Sequence, residues 1–293
     1  MKKKILIIYD IPNYCFHRIS TYIQKYSQYD ITIERMSKLW KLNINKFDLI
    51  FSLIDYRPDS NKILDKKKLL IGIRSDVLIA KQKGFYNDKK LVEDLALGYI
   101  CSNKIIFNKF KELGYKCWLA EGGIDTEIYK PLEADIVHNP IIVGWAGSRK
   151  HFKEFRGFEI IEKACRVVNI IWNPAYKEDR KLDEIGMVKY YQNEIDIFID
   201  IDIRAGRQNG LLESASCGKW IISSRGCGIA ENLVENGYNG LLVNRSVRGI
   251  SRGIREIVNH PEYKIKARET VLRDWTWERH VEKFDKVFAE VLQ

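Results

Sequence analysis

At 293 residues the chain is long enough for one large domain or two of ordinary size, and 45% apolar residues provide for a buried core. No run of 18 apolar residues exists to span a bilayer. The six cysteines (Cys15, Cys101, Cys117, Cys165, Cys217, Cys227) form no C-x-x-C pair, and the five histidines are widely spaced, so no zinc or other metal site is expected. Reduced cytosolic cysteines serving as small hydrophobes are the expectation. The net charge of +10 favours phosphate-rich partners, namely nucleotides, an anionic membrane surface or nucleic acid, although runs such as Lys66-Lys67-Lys68 also suit a plain solvated face.

In chain order, MKKKILIIYD opens with three lysines, but only five apolar residues precede Asp10 and no small-residue cleavage site follows. It is expected to be a buried first strand and not a signal peptide. A helix through HRISTYIQKYSQ, the strands DITIERM, FDLIFSLI, LLIGIRS and GYICSN, the helix IFNKFKELG and the strand KCWLAEG follow. Short apolar strands alternating with amphipathic helices predict a parallel sheet covered on both faces. The pattern breaks at KPLEADIVHNP, a polar stretch bounded by Pro131 and Pro140, which predicts a domain boundary near 132.

The alternation then restarts with IIVGWAG, a helix FRGFEIIEKACRVV, NIIWNP, a helix at KYYQNE and the strand IDIFIDI. Two consecutive doubly wound units predict an α/β protein of two Rossmann-like domains, 1–132 and 133–275, facing a cleft at the carboxyl ends of their strands. The terminal WTWERHVEKFDKVFAEVLQ spaces Val281, Phe284, Val287, Phe288 and Leu292 on one apolar helix face.

The stretch from Ala205 to Val243, AGRQNGLLESASCGKWIISSRGCGIAENLVENGYNGLLV, carries the most chemistry. Gly206, Gln208, Asn209 and Gly210 open a helix, LLESASCG forms it, and WIISS is the next strand. A helix start of small and polar residues leaves backbone N–H groups free to bind an anion. Glu213, early in that helix, is placed to accept hydrogen bonds from a sugar hydroxyl. Phosphate and ribose together make a nucleotide.

AGRQNGLLESASCGKWIIS, GIAE and GYNGLLV together resemble the donor-binding region of retaining GT-B glycosyltransferases of the large family four. Their pattern runs E-G-x-x-N-x-x-L-E-A-x-A-C-G-x-P-V-I-S, G-x-x-E and G-x-N-G-L-L-V. The resemblance implies that Gly206, Arg207, Gln208, Asn209, Gly210, Leu211 and Leu212 cradle the donor's diphosphate, the helix dipole adding roughly 0.3–1 kcal/mol. It gives Glu213 the ribose and leaves Glu231 between a ligand role and helix capping. The family's first glutamate falls on Ala205, which cannot receive the hydroxyls of the transferred sugar. An unpaired buried hydroxyl costs roughly 1–3 kcal/mol, so the donor lacks that contact, or Asp202, Arg204 or Arg207 supplies it, or activity is lost.

GIDTEIYKP, Gly123 to Pro131, is similar to the family motif closing the first domain, with Asp125 suited to cap a short helix. VGWAGSRKHFKEF resembles the family loop after the first strand of the second domain. Gly144 and Gly147 then let the backbone approach a ligand, Ser148 joins Gly147 in the donor site, and Arg149 and Lys153 stabilise the charge that develops on the leaving diphosphate. Lys150 stands beside them. In GT-B enzymes the last helix crosses back, so 276–293 is expected on the first domain. There, Asp10, Asn13, Tyr14 and His17 after the first strand, with Arg74 and Asp76 at another strand end, form the acceptor or sugar side.

The implied reaction retains anomeric configuration and needs no metal or other cofactor, the nucleotide sugar being a substrate. Asp200-Ile201-Asp202 is a D-x-D string, but it lies in the strand leading to the donor loop. The expected acceptor is a saccharide or lipid-linked glycan precursor, and the protein is expected in the cytoplasm or on the inner face of the membrane. Two alternatives stand beside this: glycosylation of a flipped DNA base, and a non-catalytic nucleotide-sugar-binding protein, prompted by Ala205.

Overall fold

The computed structural model describes residues 2–54, 64–74, 95–134, 136–150, 153–203, 206 and 209–293. The chain divides into two compact units, Met1–Gly123 with Trp277–Gln293, and Ile124–Thr276. Among the described residues no helix is long and apolar enough to cross a membrane.

The first unit is a six-stranded parallel sheet built from β1 (Lys4–Tyr9), β2 (Asp30–Arg35), β3 (Leu49–Ser52), β4 (Leu69–Ile73), β5 (Gly98–Cys101) and β6 (Cys117–Leu119), in the order β2-β1-β3-β4-β5-β6. Its central strands are continuous apolar runs because both faces are covered. The helices are α1 (Cys15–Tyr26), α2 (Lys104–Glu112) and the chain-terminal α10 (Trp277–Val291). Helix α10 belongs to this unit because its apolar stripe fits the sheet. Phe284 and Phe288 are fully buried, with ring centroids 5.8 and 6.0 Å from Phe51. Trp277 stacks on Tyr22 of α1 at 4.8 Å. Asp285 accepts hydrogen bonds from Ser27 Oγ at 2.5 Å and the Gln28 amide at 2.9 Å.

The second unit is a five-stranded parallel sheet in the order β11-β10-β9-β7-β8. Its strands are β7 (Ile142–Gly147), β8 (Ile171–Tyr176), β9 (Ile197–Asp200), β10 (Trp220–Ser224) and β11 (Leu241–Val243). The helices are α3 (Lys153–Arg156), α4 (Phe158–Val168), α5 (Glu184–Asn193), α6 (Asn209–Ser216), α7 (Ala230–Leu233), α8 (Val247–Ile257) and α9 (Glu262–Asp274). Two separate apolar clusters, one including Leu211, Leu212 and Ile221 and the other Trp145, Ile222 and Ile254, make it doubly wound.

Three details differ from the sequence reading. The division falls after Gly123 and not near 132, because the intervening segment is stitched into the second unit. The Ile124 amide donates to the Trp275 carbonyl at 2.8 Å, and the buried Tyr129 packs on Tyr191 with ring centroids 6.4 Å apart. The single helix expected over FRGFEIIEKACRVV is interrupted at Gly157, whose left-handed φ of 71° separates α3 from α4. The stretch 244–274, where no element is expected above, holds α8 and α9; Ser246 Oγ caps α8 by accepting from the Gly249 amide at 3.0 Å.

In both sheets the strand order reverses once, between β1 and β3 and between β7 and β9. Ligands of such sheets bind beyond the carboxyl ends of the strands at that switch point. In the second unit those ends carry Gly147–Lys150 and Ile201–Ile203, parts of two of the segments singled out above.

Candidate donor site

The loop after β7 is shaped by close packing. A Cβ at Gly147 would lie 2.7 Å from Trp145 Cη2 and 2.8 Å from Arg156 Nη1, and the residue's φ is +155°. Gly144 answers to a different pressure. A Cβ there would meet the Tyr190 hydroxyl at 2.5 Å and Ile195 at 2.6 Å, so it serves packing against α5 and not the approach of a ligand.

Beyond Gly147 the loop already holds an anion. Ser148 Oγ donates to Glu178 Oε1, the Arg149 amide donates to Oε2 at 3.1 Å, and the Lys150 amide to Oε1 at 3.3 Å. The Ser148 hydrogen bond, with help from the backbone amides, holds the Glu178 carboxyl at about 2, well below its ordinary range. Arg149 Nη2 meets Asp179 Oδ1 at 2.8 Å, its guanidinium 5.1 Å above the Tyr176 ring. Lys153, the first residue of α3, pairs with Glu159 at 2.6 Å. An open depression of about 330 Å³ lies beside it, lined also by Gly157, Phe158 and Arg245. Both cations expected to face a diphosphate are therefore engaged by solvent-exposed carboxylates.

Helix α6 begins at Asn209, one position before Gly210. A Cβ at Gly210 would lie 2.6 Å from Phe198 Cζ and 3.2 Å from the Tyr191 hydroxyl, so only glycine lets the helix start seat against β9 and α5. Leu211 and Leu212 are fully buried in the core; their side chains anchor the helix, and only their amides belong to its N-terminal turn. A Cβ at Gly206, by contrast, would meet nothing within 4 Å. Glu213 is only 8% exposed, and its Oε2 accepts a hydrogen bond from the Tyr191 hydroxyl at 2.9 Å. Glu231 Oε1 accepts from the Gly226 amide at 2.7 Å, which closes the turn after β10. Strand β9 ends at Asp200, whose Oδ1 accepts from the Asp202 amide at 3.0 Å; both carboxylates are buried. Arg207 and Gln208, like Arg204 and Ala205, lie outside the described residues.

In the first unit, Asp10, Asn13, Tyr14 and His17 gather between the carboxyl end of β1 and the start of α1. Asp10 accepts from the Ile11 amide at 2.6 Å. Asn13 takes a left-handed φ of 59° and donates its amide to His17 Nδ1 at 3.0 Å, and the imidazole packs on Tyr9 at 4.4 Å. Tyr14 stands at the N-cap of α1, half exposed. Arg74 ends up buried just past β4, two strands away from β1 in the sheet. Asp76 lies outside the described residues.

Over the whole chain this arrangement matches several solved structures. A complex of Anabaena Alr3699/HepE with UDP and glucose aligns with a TM-score of 0.71 at 15% identity, covering 99% of each chain. A glycosyltransferase from Rickettsia africae aligns with a TM-score of 0.72 at 13% identity, covering 100% of this chain and 99% of that one. Sucrose-phosphate synthase from Thermosynechococcus elongatus gives 0.67 at 11% identity, covering 99% of each. The fold is of the GT-B glycosyltransferase type. In sequence, the chain is 29% identical over 252 residues to the uncharacterised glycosyltransferase MJ1069 of Methanocaldococcus jannaschii, a match covering 78% of this chain and 60% of that protein. The chain thus spans about 60% of the length of that curated relative. No protein-family profile matches the chain.

Tyr191 and Glu178 are absent from the sequence reading. Tyr191 sits in KYYQNE with no spacing relation to Glu213, and Glu178 lies in the charged run KEDRK. The partners of both are set by the fold and by no local pattern.

Proposed function

We propose that the chain is a glycosyltransferase that moves a sugar from a nucleotide-diphosphate donor, UDP- or GDP-linked, to an acceptor. The observation that carries this reading is the pairing, at one sheet's switch point, of an anion-holding loop after β7 with a glycine-opened helix bearing a buried glutamate. In this reading the amides at the start of α6 and the Ser148–Lys150 loop take the diphosphate, and Glu213 takes the ribose. That HepE is seen with UDP and glucose supports a UDP-sugar donor by analogy of fold.

Arg149 and Lys153 act on the leaving diphosphate. Their present partners, Asp179 and Glu159, are about half exposed, as are the cations themselves. Such pairs are worth about 0–1 kcal/mol each, so a doubly charged diphosphate displaces the carboxylates at little cost. Fixed cations that interact more strongly as negative charge grows on the leaving group lower the barrier to glycosidic cleavage. The proposed reaction retains configuration and uses no metal. The acceptor, a saccharide or lipid-linked glycan precursor, falls to the first unit, around Asp10, Asn13, Tyr14, His17 and Arg74. The net charge of +10 suits work at an anionic membrane surface from the cytoplasmic side.

Ala205 favours a second reading, that of a protein which binds nucleotide sugars without turning them over. A thermal-shift and turnover screen of UDP- and GDP-sugars separates the two. Stabilisation together with release of nucleotide is the expected result, whereas stabilisation without turnover selects the binding protein. Glu213→Ala should weaken UDP or GDP binding by about tenfold, the worth of one charge-assisted hydrogen bond at about 1.5 kcal/mol. Unchanged affinity refutes the ribose assignment.

A further inference from the structure

The Tyr191 side chain is completely buried near the end of α5, among rings at centroid distances of 6.4 Å (Tyr129), 5.5 Å (Tyr190) and 5.6 Å (Phe198). Gly210 closes the remaining side, since even a methyl group there would stand 3.2 Å from the phenol oxygen. The ring has no room to turn away. A hydroxyl buried among aromatic faces is tolerated only when it is hydrogen-bonded, and this one donates to Glu213 Oε2 at 2.9 Å. Burial and the neighbouring carboxylate both push the phenol well above its ordinary range, so Tyr191 stays protonated and remains a donor. A glutamate on a helix has three side-chain torsions to lose. Here a rigid donor on another helix fixes one carboxylate oxygen and thereby sets the direction of the other.

We propose that Tyr191 is the positioning residue through which the protein tells ribonucleotides from deoxyribonucleotides: it holds the Glu213 carboxylate in the orientation that receives the ribose hydroxyls. The inference rests on the ribose role of Glu213 proposed above. A site pre-formed to pair a hydroxyl rejects the analogue that lacks it. A carboxylate free to rotate loses that discrimination while still tolerating either nucleotide.

The test is calorimetric titration of wild type and Tyr191→Phe with UDP, 2′-deoxy-UDP and 3′-deoxy-UDP. Wild type should prefer UDP over at least one deoxy analogue by about tenfold, the worth of one hydrogen bond to a charged group. In Tyr191→Phe that preference should fall below about threefold through weaker UDP binding alone, the deoxy analogue keeping its affinity within about twofold. p-Aminophenylalanine at 191 restores a donor and should restore the preference. p-Fluorophenylalanine at 191 fills the space without donating, and replaces the phenylalanine variant if that does not fold. An unchanged preference, or an equal loss for all three nucleotides, overturns the proposal and leaves the donor reading standing. If wild type binds neither UDP nor GDP, the donor reading falls and the inference with it.

Discussion

Replacing Arg268 with methionine removes a four-bond fork at the centre of the second unit. Its Nη1 donates to the Tyr129 carbonyl at 2.8 Å, the Ser216 carbonyl at 2.9 Å and Ser216 Oγ at 2.7 Å, while Nη2 donates to the Thr126 carbonyl at 2.9 Å. The fork ties GIDTEIYKP to the C-terminal end of α6, where a cation also complements the helix dipole. The four bonds do not count equally. The Tyr129 carbonyl keeps a second donor in Ser216 Oγ at 2.5 Å, so the carbonyls of Thr126 and Ser216 bear the loss. Two such acceptors left without this partner cost about 1–3 kcal/mol each. Against this, methionine removes a guanidinium whose half-burial opposes its charge and lowers its pKa. The net expectation is about 2–4 kcal/mol of destabilisation, or a Tm lower by about 4–16 °C at 2–4 °C per kcal/mol. Arg268→Lys keeps the charge without the planar fork and should fall between. Urea titration with a scanning-calorimetry check measures both. A loss below about 0.5 kcal/mol, the range of an ordinary surface change, would refute the reasoning.

Phe288→Ala should destabilise the first unit by about 3–5 kcal/mol, since the ring is fully buried against Tyr29, Phe51 and Phe284; chemical denaturation with little change would show that α10 is not integral to that core. Ser148→Ala removes the strongest influence lowering Glu178, so its carboxyl should titrate above the wild-type value of about 2. A carboxyl lowered on folding contributes stability that is present above its unfolded value near 4.5 and is lost as pH falls through the folded value, here between about pH 4.5 and 2. The variant should lose that contribution at higher pH. Carbon-detected NMR titration of the side chain reads this directly, and an unmoved midpoint contradicts it.

The parallel sheets are legible in the sequence because their central strands are short apolar runs between helices and turns, and burial on both faces demands that composition. Helix α10 is equally plain, since Val281, Phe284, Val287 and Phe288 mark one face and all four are buried. The break at Gly157 is harder to see, because glycine inside a helical pattern does not announce its φ. Helices α8 and α9 fall after the last motif-bearing segment, although the spacing of Val247, Ile250, Ile254 and Ile257 carries a helical period. In the candidate donor site, the helix start, glutamate and basic loop are local features of the sequence. Tyr191, Glu178 and Arg268 work through partners 22, 30 and 139 residues distant in sequence. No single motif or element contains both halves of those contacts.

At the carboxyl edge of the second sheet, the protein's own carboxylates occupy three sets of donors. Asp179 and Glu159 hold Arg149 and Lys153 through single exposed pairs, which salt and solvent weaken. Glu178 is different, held by a hydroxyl and two amides, and that grip lowers its carboxyl to about 2. An incoming diphosphate would therefore recruit the two cations easily and compete with Glu178 only at cost. The β7 loop is thus kept in an anion-accepting shape before any anion arrives, which is what pre-organisation requires. Glu213 follows the same logic on α6, its carboxylate fixed by a buried phenol in advance of a ligand. At Ala205, where the resemblance breaks, a methyl group offers nothing to hydrogen-bond. In the proposed reading the groups of this unit are set for a nucleotide, and recognition of the sugar it carries falls to other residues.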